Sequence, residues 1–250
     1  MKGAIITREV LEGYWNCRYL AFLRLGGHEG TKTDYEKMLQ RDRFEQRLTA
    51  TAKIQELYRK QIVATGPILS RGKLQEGPSF ILDAEFQDDE FQLRFDGLKK
   101  LDGASDLGAF HYVPMLLSGT RKVHKHDRLV LETFGLMVSR IQGRAPTRGV
   151  VYHGPTCVAS SVAFSAGLAE GKAALHELKR MQQGTAVPRL LLNDYCRIFE
   201  FRSSCHAQAV KEDNLTLLRG IGEKELKRYA RRGLFTLTQV AHTFRPHQAI

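Results

Sequence analysis

Ser79–Phe86 (SFILDAEF), Glu90–Leu101 (EFQLRFDGLKKL) and Ala109–Gly119 (AFHYVPMLLSG) decide the fold. In each run apolar residues alternate with polar ones or cluster between turn signals, as they do in a strand that turns one face to a core. Gln87-Asp88-Asp89 reads as a turn and the Gly- and Asp-rich stretch before Ala109 as a loop, so residues from about 62 to 118 form an antiparallel meander. His126–Gly143 (HDRLVLETFGLMVSRIQG) then restores the helical period. Arg148–Gly154 (RGVVYHG) is a short buried strand, and Gly167–Gly184 (GLAEGKAALHELKRMQQG) is a helix closed by Gly184. A helix after the third strand can carry the chain to a parallel neighbour. The order predicts an α/β or α+β core, a mixed sheet flanked by helices.

Toward the N-terminus, Ile6–Leu25 places Val10, Tyr14, Cys17 and Phe22 near one helical face, and Gly26-Gly27 stops that helix. Asp34 is the expected cap of a second helix running to Lys60, with Leu39, Phe44, Leu48 and Ile54 at amphipathic separations. Toward the C-terminus, Gly184–Asp194 (GTAVPRLLLND) reads as a connection, which puts a boundary near 185–190. No internal repeat is visible.

Composition narrows the function classes. Lys and Arg number 38 against 27 Asp and Glu, a formal charge of +11 that favours a polyanionic partner. The competing reading is a merely basic soluble protein. With 42% hydrophobic residues the chain has the material for a real core. The first dozen residues carry charges and lack the apolar stretch of a secretory signal. The longest uncharged run, Gly149–Ala169, holds His153, Pro155 and several serines and is too polar to span a bilayer. Membrane partners are therefore excluded, and a cytoplasmic location is expected. Cys17, Cys157, Cys196 and Cys205 in a chain without an export signal suit a reducing compartment, where cysteines pack, ligate or catalyse more often than they pair.

Leu217–Ala241 (LLRGIGEKELKRYARRGLFTLTQVA) carries the sharpest local signal. Leu218, Ile221, Leu226, Leu234, Leu237 and Val240 supply apolar contacts between short helices, and Gly220 and Gly222 allow a tight turn that a phosphate can approach. Amides at the start of the following helix can meet a phosphate oxygen, with Lys224, Lys227, Arg228, Arg231 and Arg232 adding charge. This stretch resembles the helix-hairpin-helix family over its whole length. The resemblance implies backbone binding to nucleic acid through Gly220, Ile221, Gly222, Lys224, Lys227, Arg228 and Arg231. A packing element with a solvated basic face is the alternative.

Leu192–Ala209 (LNDYCRIFEFRSSCHAQA) resembles the C-terminal cysteine cluster of RecB-like nucleases, and Cys17 in WNCRYLAFL matches their early lone cysteine. That resemblance implies an iron–sulfur cluster held by Cys17, Cys196 and Cys205, because thiolates are soft anionic iron ligands. Phe199 stands where the family has its fourth cysteine, leaving Cys157 or His206 to substitute. With FDGLKKLDGASDLGAFHYVPMLLSG included, the resemblance covers nearly the whole chain. It implies a RecB/restriction-endonuclease-like core over 1–188, a cysteine-containing segment closing it over 189–210, a helix-hairpin-helix over 211–243 and a truncated linker over 244–250. In the family an RNase H-like exonuclease domain follows, so such a domain or protein is an expected partner.

The implied chemistry is Mg- or Mn-dependent hydrolysis of DNA, in which carboxylates hold the metal that activates water. Asp96 in LRFDGL matches the family's second-strand Asp, and Glu45 in RDRFEQR its early helical acid. Pro114 and Leu116 occupy the third-strand places of an acid and a lysine, with Asp106 or His111 as substitute ligands. Against these stand a turn-capping role for Asp96 and a surface charge at Glu45. Arg121, Lys122 and Lys125, near His124 and His126, form a basic loop suited to a nucleic-acid backbone. Two functions follow: a metal-dependent nuclease, or a degenerate relative that only binds DNA.

Overall fold

The structure, a computed structural model, describes residues 4–243; the expected linker at 244–250 lies outside the described residues. In chain order the elements begin β1 (Ile6–Thr7), α1 (Arg8–Asn16), α2 (Arg18–Leu25), α3 (Asp34–Leu57), β2 (Val63–Thr65) and α4 (Arg71–Gln75). They continue β3 (Phe80–Leu82), β4 (Glu85–Gln87), β5 (Phe91–Arg94), β6 (Gly97–Ser105), β7 (Gly108–Ser118), α5 (Lys125–Gln142), β8 (Arg148–His153) and β9 (Val158–Ala163). The last are α6 (Ala169–Gln182), α7 (Arg202–Lys211), α8 (Glu223–Ala230) and α9 (Leu237–Thr243). The fold is mixed α/β, with a six-stranded sheet in the order β2-β3-β6-β7-β8-β9 and a three-stranded sheet β1-β5-β4.

Alternation sorts the large sheet's side chains into two layers. Phe80, Leu82, Val113, Met115, Val150 and Tyr152 pack with Ile54 of α3 on one face. Ile81, Leu98, Tyr112, Leu116 and Val151 join the main core with Phe134, Val138 and other residues of α5 on the opposite face. Strands β7 and β8 are buried on both faces, which is why VPML and GVVY read as continuous apolar runs. The expected crossover exists: β7 runs parallel to β8, and α5 connects them.

Several expectations need correction. SFILDAEF and EFQLRFDGLKKL are not single strands, since each crosses from one sheet to the other. The arms β3 and β6 pair in the large sheet and β4 and β5 in the small one, with the bend at Asp83-Ala84 and Phe95-Asp96. Asp83 takes φ 53° there, a left-handed conformation that Asp tolerates better than most residues. Gly97 is needed because an added Cβ would lie 2.7 Å from the Ile81 carbonyl oxygen. The first helix breaks at Cys17, which is extended (φ −160°, ψ 115°) and separates α1 from α2. Helix α3 is capped by Thr33 rather than Asp34, the Thr33 hydroxyl accepting from the Glu36 amide at 3.1 Å. Phe44 and Leu48 on α3 are exposed (61% and 55%), so Ile54 and Ala50 alone among its apolar residues are buried. Strand β9, at the sheet edge beside β8, has no counterpart among the strands expected from the sequence.

Candidate functional site

The bend between the two sheets places Asp83 and Asp96 side by side, with the Asp83 amide donating to the Asp96 carbonyl at 3.1 Å. Three arginines from separate elements close on them. Arg8, the first residue of α1, donates Nη1 to Asp96 Oδ1 at 2.7 Å and Nη2 to Oδ2 at 3.3 Å. Arg47 of α3 brings Nε to 3.2 Å from Asp96 Oδ1 and Nη2 to 2.7 Å from Asp83 Oδ1. Arg94 of β5 grips Asp83 with two bonds of 2.8 and 2.6 Å. Glu12, one turn after Arg8, accepts its Nε at 2.7 Å. Three guanidiniums thus face three carboxylates, and the knot is neutral.

Asp96 is 2% exposed. Burial by itself would raise its pKa, but the Arg8 charge and hydrogen bonds, the Arg47 charge and the Leu117 amide (2.9 Å) together hold it below the usual carboxylate range. An ionised carboxylate offers about four lone-pair sites. Those of Asp96 accept Arg8 twice and Leu117 once, and the Arg47 guanidinium stands 3.2 Å from Oδ1 as an ion pair. A divalent cation would have to displace these donors and sit against two fixed guanidiniums, so Mg or Mn does not fit Asp96 here.

The remaining implied ligands do not converge on it. Glu45 is a surface charge, 66% exposed, whose closest cation is Arg41 at 3.9 Å. Leu117, next to the third-strand place at Leu116, reaches Asp96 by its backbone amide rather than by a ligand side chain. His111 and Asp106 lie toward the other end of the β6–β7 hairpin, with His111 about 20 Å along β7 from Leu117 at ~3.3 Å per residue. His111 Nδ1 sits 3.3 Å from the Gly103 carbonyl, and Asp106 pairs with Arg71 at 3.8 Å.

The cysteines do converge in part. Leu20, Leu190, Phe201, Cys205 and Ala209 form a small apolar cluster with Cys17 and Phe199 packed against it. The neighbouring thiols of Cys17 and Cys196 push Cys17 up and hold Cys196 down at about 6, while the Cys196 sulfur hydrogen-bonds Asn193, accepting its amide at 3.4 Å. Burial pushes Cys205 up to about 11. Phe199 stacks on Tyr195 at 6.2 Å and lies under the Arg24 guanidinium at 5.9 Å, filling the fourth place with a ring. Cys157 sits instead in the β8–β9 turn, at φ 52°, and His206 is exposed on α7. A four-thiolate iron–sulfur cluster does not fit this set. Among the described residues no three His, Cys, Asp or Glu side chains form a metal-binding group.

The basic C-terminal element differs from the expected hairpin in its first arm. A 3-10 turn at Leu215–Leu217 precedes the glycine loop, and α7 ends before it. Gly220 takes φ 79°, the left-handed geometry the turn requires. Gly222 precedes α8, and the Glu225 carboxylate already accepts the Gly222 amide at 3.2 Å. Lys224, Lys227, Arg228, Arg231 and Arg232 are all exposed, and Leu226 alone on α8 is buried. Asp213 ties this element together by accepting from the Leu237 and Thr238 amides (2.9 and 3.0 Å) at the start of α9. Arg121 and Lys122 are exposed between β7 and α5, and Lys125 is exposed as the first residue of α5. Burial and the nearby Arg43 and Arg8 push the His126 imidazole down, against the opposing pull of Glu12 and Asp127.

Sequence reasoning missed Arg8, Arg47 and Asp83. Nothing local distinguishes them in a chain this rich in arginine. No helix among the described residues is long and apolar enough to cross a membrane. No protein-family model matches the sequence, and no curated protein is significantly similar to it.

Proposed function

We propose that the chain is a nucleic-acid-binding protein, most plainly a DNA-binding one, built on a nuclease-type core whose acid position has been converted from metal binding to an internal ion-pair knot. The observation that carries this reading is the enclosure of Asp96 by the Arg8 and Arg47 guanidiniums and the Leu117 amide. The charge of +11 and the exposed cations of α8 and of the β7–α5 loop support a polyanionic partner. Contacts of this kind, made by Lys and Arg to phosphates, position the protein without reading base sequence.

The test is incubation of the chain with labelled single- and double-stranded DNA in Mg or Mn, with binding and cleavage recorded in the same samples. Binding without cleavage is expected. Charge reversal at Lys227, Arg228 and Arg231 should lower affinity and flatten its salt dependence, by about 0.7–0.9 in the log–log slope for each phosphate that the protein no longer neutralises. Cleavage that disappears in Asp96→Ala refutes the reading and restores a hydrolase. Binding unchanged by the charge reversals removes α8 from the interface.

A further inference from the structure

A groove of about 810 Å³ separates α8 from the core, and its walls come from four regions. Trp15 and Cys17 lie at the α1–α2 break, Lys125 and His126 at the start of α5, Arg189 and Tyr195 on the connection after α6, and Leu226 and Lys227 on α8. The groove therefore joins the basic α8 to the basic loop before α5. Its volume falls within the ~300–1,000 Å³ of pockets that enclose one small molecule, which suits a few nucleotides of one strand and not the side of a duplex.

Two kinds of group line it. The carboxylates are already engaged: Glu177 with the Tyr14 hydroxyl (2.6 Å) and Arg18 (3.6 Å), Glu170 with Arg128 (2.9 Å), and Glu223 with Lys227 (3.9 Å). Lys125 and Arg189 are exposed and have no carboxylate partner among the described residues. The aromatic groups include Tyr195, 48% exposed, with Phe199 stacked behind one face, and Trp15, whose buried indole N–H has no hydrogen-bond acceptor among the described residues. Free cations interleaved with aromatic faces are what a single strand needs, since every base has a π-face and every linkage a charge.

We propose that this groove is the path of a single DNA strand, with bases stacked on Tyr195 and Trp15 and phosphates held by Lys125 and Arg189. The inference rests on the nucleic-acid-binding function proposed above and adds strandedness and location to it.

Trp15 is the one tryptophan of the chain, so intrinsic fluorescence reports on the groove directly. The full chain would be titrated with oligo-dT and with a blunt hairpin duplex at low salt, with anisotropy of labelled DNA read in parallel. Oligo-dT should quench Trp15 and the duplex should not. Tyr195→Ala should weaken oligo-dT binding about 5- to 150-fold, the span of base–aromatic stacking, and leave duplex affinity within about twofold. Arg189→Glu should weaken oligo-dT binding without loss of the folded far-UV spectrum, because Arg189 is exposed. Equal affinity for both DNAs with Trp15 emission unmoved, or an unchanged oligo-dT affinity in both variants, overturns the groove while nucleic-acid binding stands. Failure to bind either DNA overturns the functional reading beneath it.

Discussion

Asp96→Asn separates an ion-pair knot from an empty metal site. Asn keeps the shape of the side chain but replaces one acceptor oxygen with an NH2 that must face either a guanidinium or the Leu117 amide, donor against donor. It also leaves three guanidiniums against two carboxylates, with one uncompensated charge shared by Arg8 and Arg47, whose side chains are 18% and 25% exposed. Breaking a buried ion pair by removing one partner costs about 3–5 kcal/mol. Against a total stability of about 5–15 kcal/mol that is a large fraction. Urea unfolding followed by Trp15 emission should show it as a fall in midpoint of at least about 1 M, for a slope of ~1–3 kcal/mol per molar. Mg should leave the wild-type midpoint where it is, because a ligand that does not bind the native state cannot stabilise it. The carboxylate is held below its ordinary value near 3.8, so its contribution is present above that pH and lost as pH falls. The acid limb of the stability profile should therefore flatten in the variant. Had Asp96 been one of several metal ligands, its neutralisation would relieve repulsion between carboxylates. A loss under about 1 kcal/mol, or a Mg-dependent rise in the wild-type midpoint that Asp96→Asn abolishes, refutes the reasoning.

Other expectations test the framework around the site. Glu36, buried at 6% exposure beside Glu200, is pushed up to about 7 by burial first and then by that second carboxylate, which Arg24 grips at 2.9 and 3.1 Å. A raised carboxyl pKa contributes stability below its ordinary value near 4.5 that is lost as pH rises through 7. Wild type should thus weaken from pH 5 to 8 by on the order of 1–3 kcal/mol, and Glu36→Gln should not; parallel pH profiles would count against the carboxyl pair. Phe134→Ala should cost about 3–5 kcal/mol in the same unfolding assay, since its fully buried ring lies 4.4 Å from Phe95 in the main core; a cost under about 1.5 kcal/mol would mean that the core repacks.

The helix over 126–143, the parallel strand at 148–153 and the helix ending before Gly184 were legible because each rests on a local period or a local stop. The antiparallel pairing of β6 with β7 was legible for the same reason. The meeting of Cys17 with Cys196 and Cys205 was expected from a family resemblance, not from spacing, and Phe199 packs beside them where that resemblance called for a fourth thiolate. The apolar residues of α3 misled, because periodicity announces a face and not what covers it; Phe44 and Leu48 have nothing packed over them among the described residues.

By itself, the sequence determined the alternation of strands and helices, the burial of the short strand β8, and the concentration of cations in α8 and the β7–α5 loop. Only the tertiary structure decided that the meander bends between two sheets at Asp83 and Asp96, and that Arg8 and Arg47 balance the buried charge there. The reason is one of range. Side-chain period and turn chemistry act over a few residues, whereas the charge partner of a buried carboxylate is whichever cation packing brings within hydrogen-bond reach, and Arg8 lies 88 positions from Asp96 along the chain.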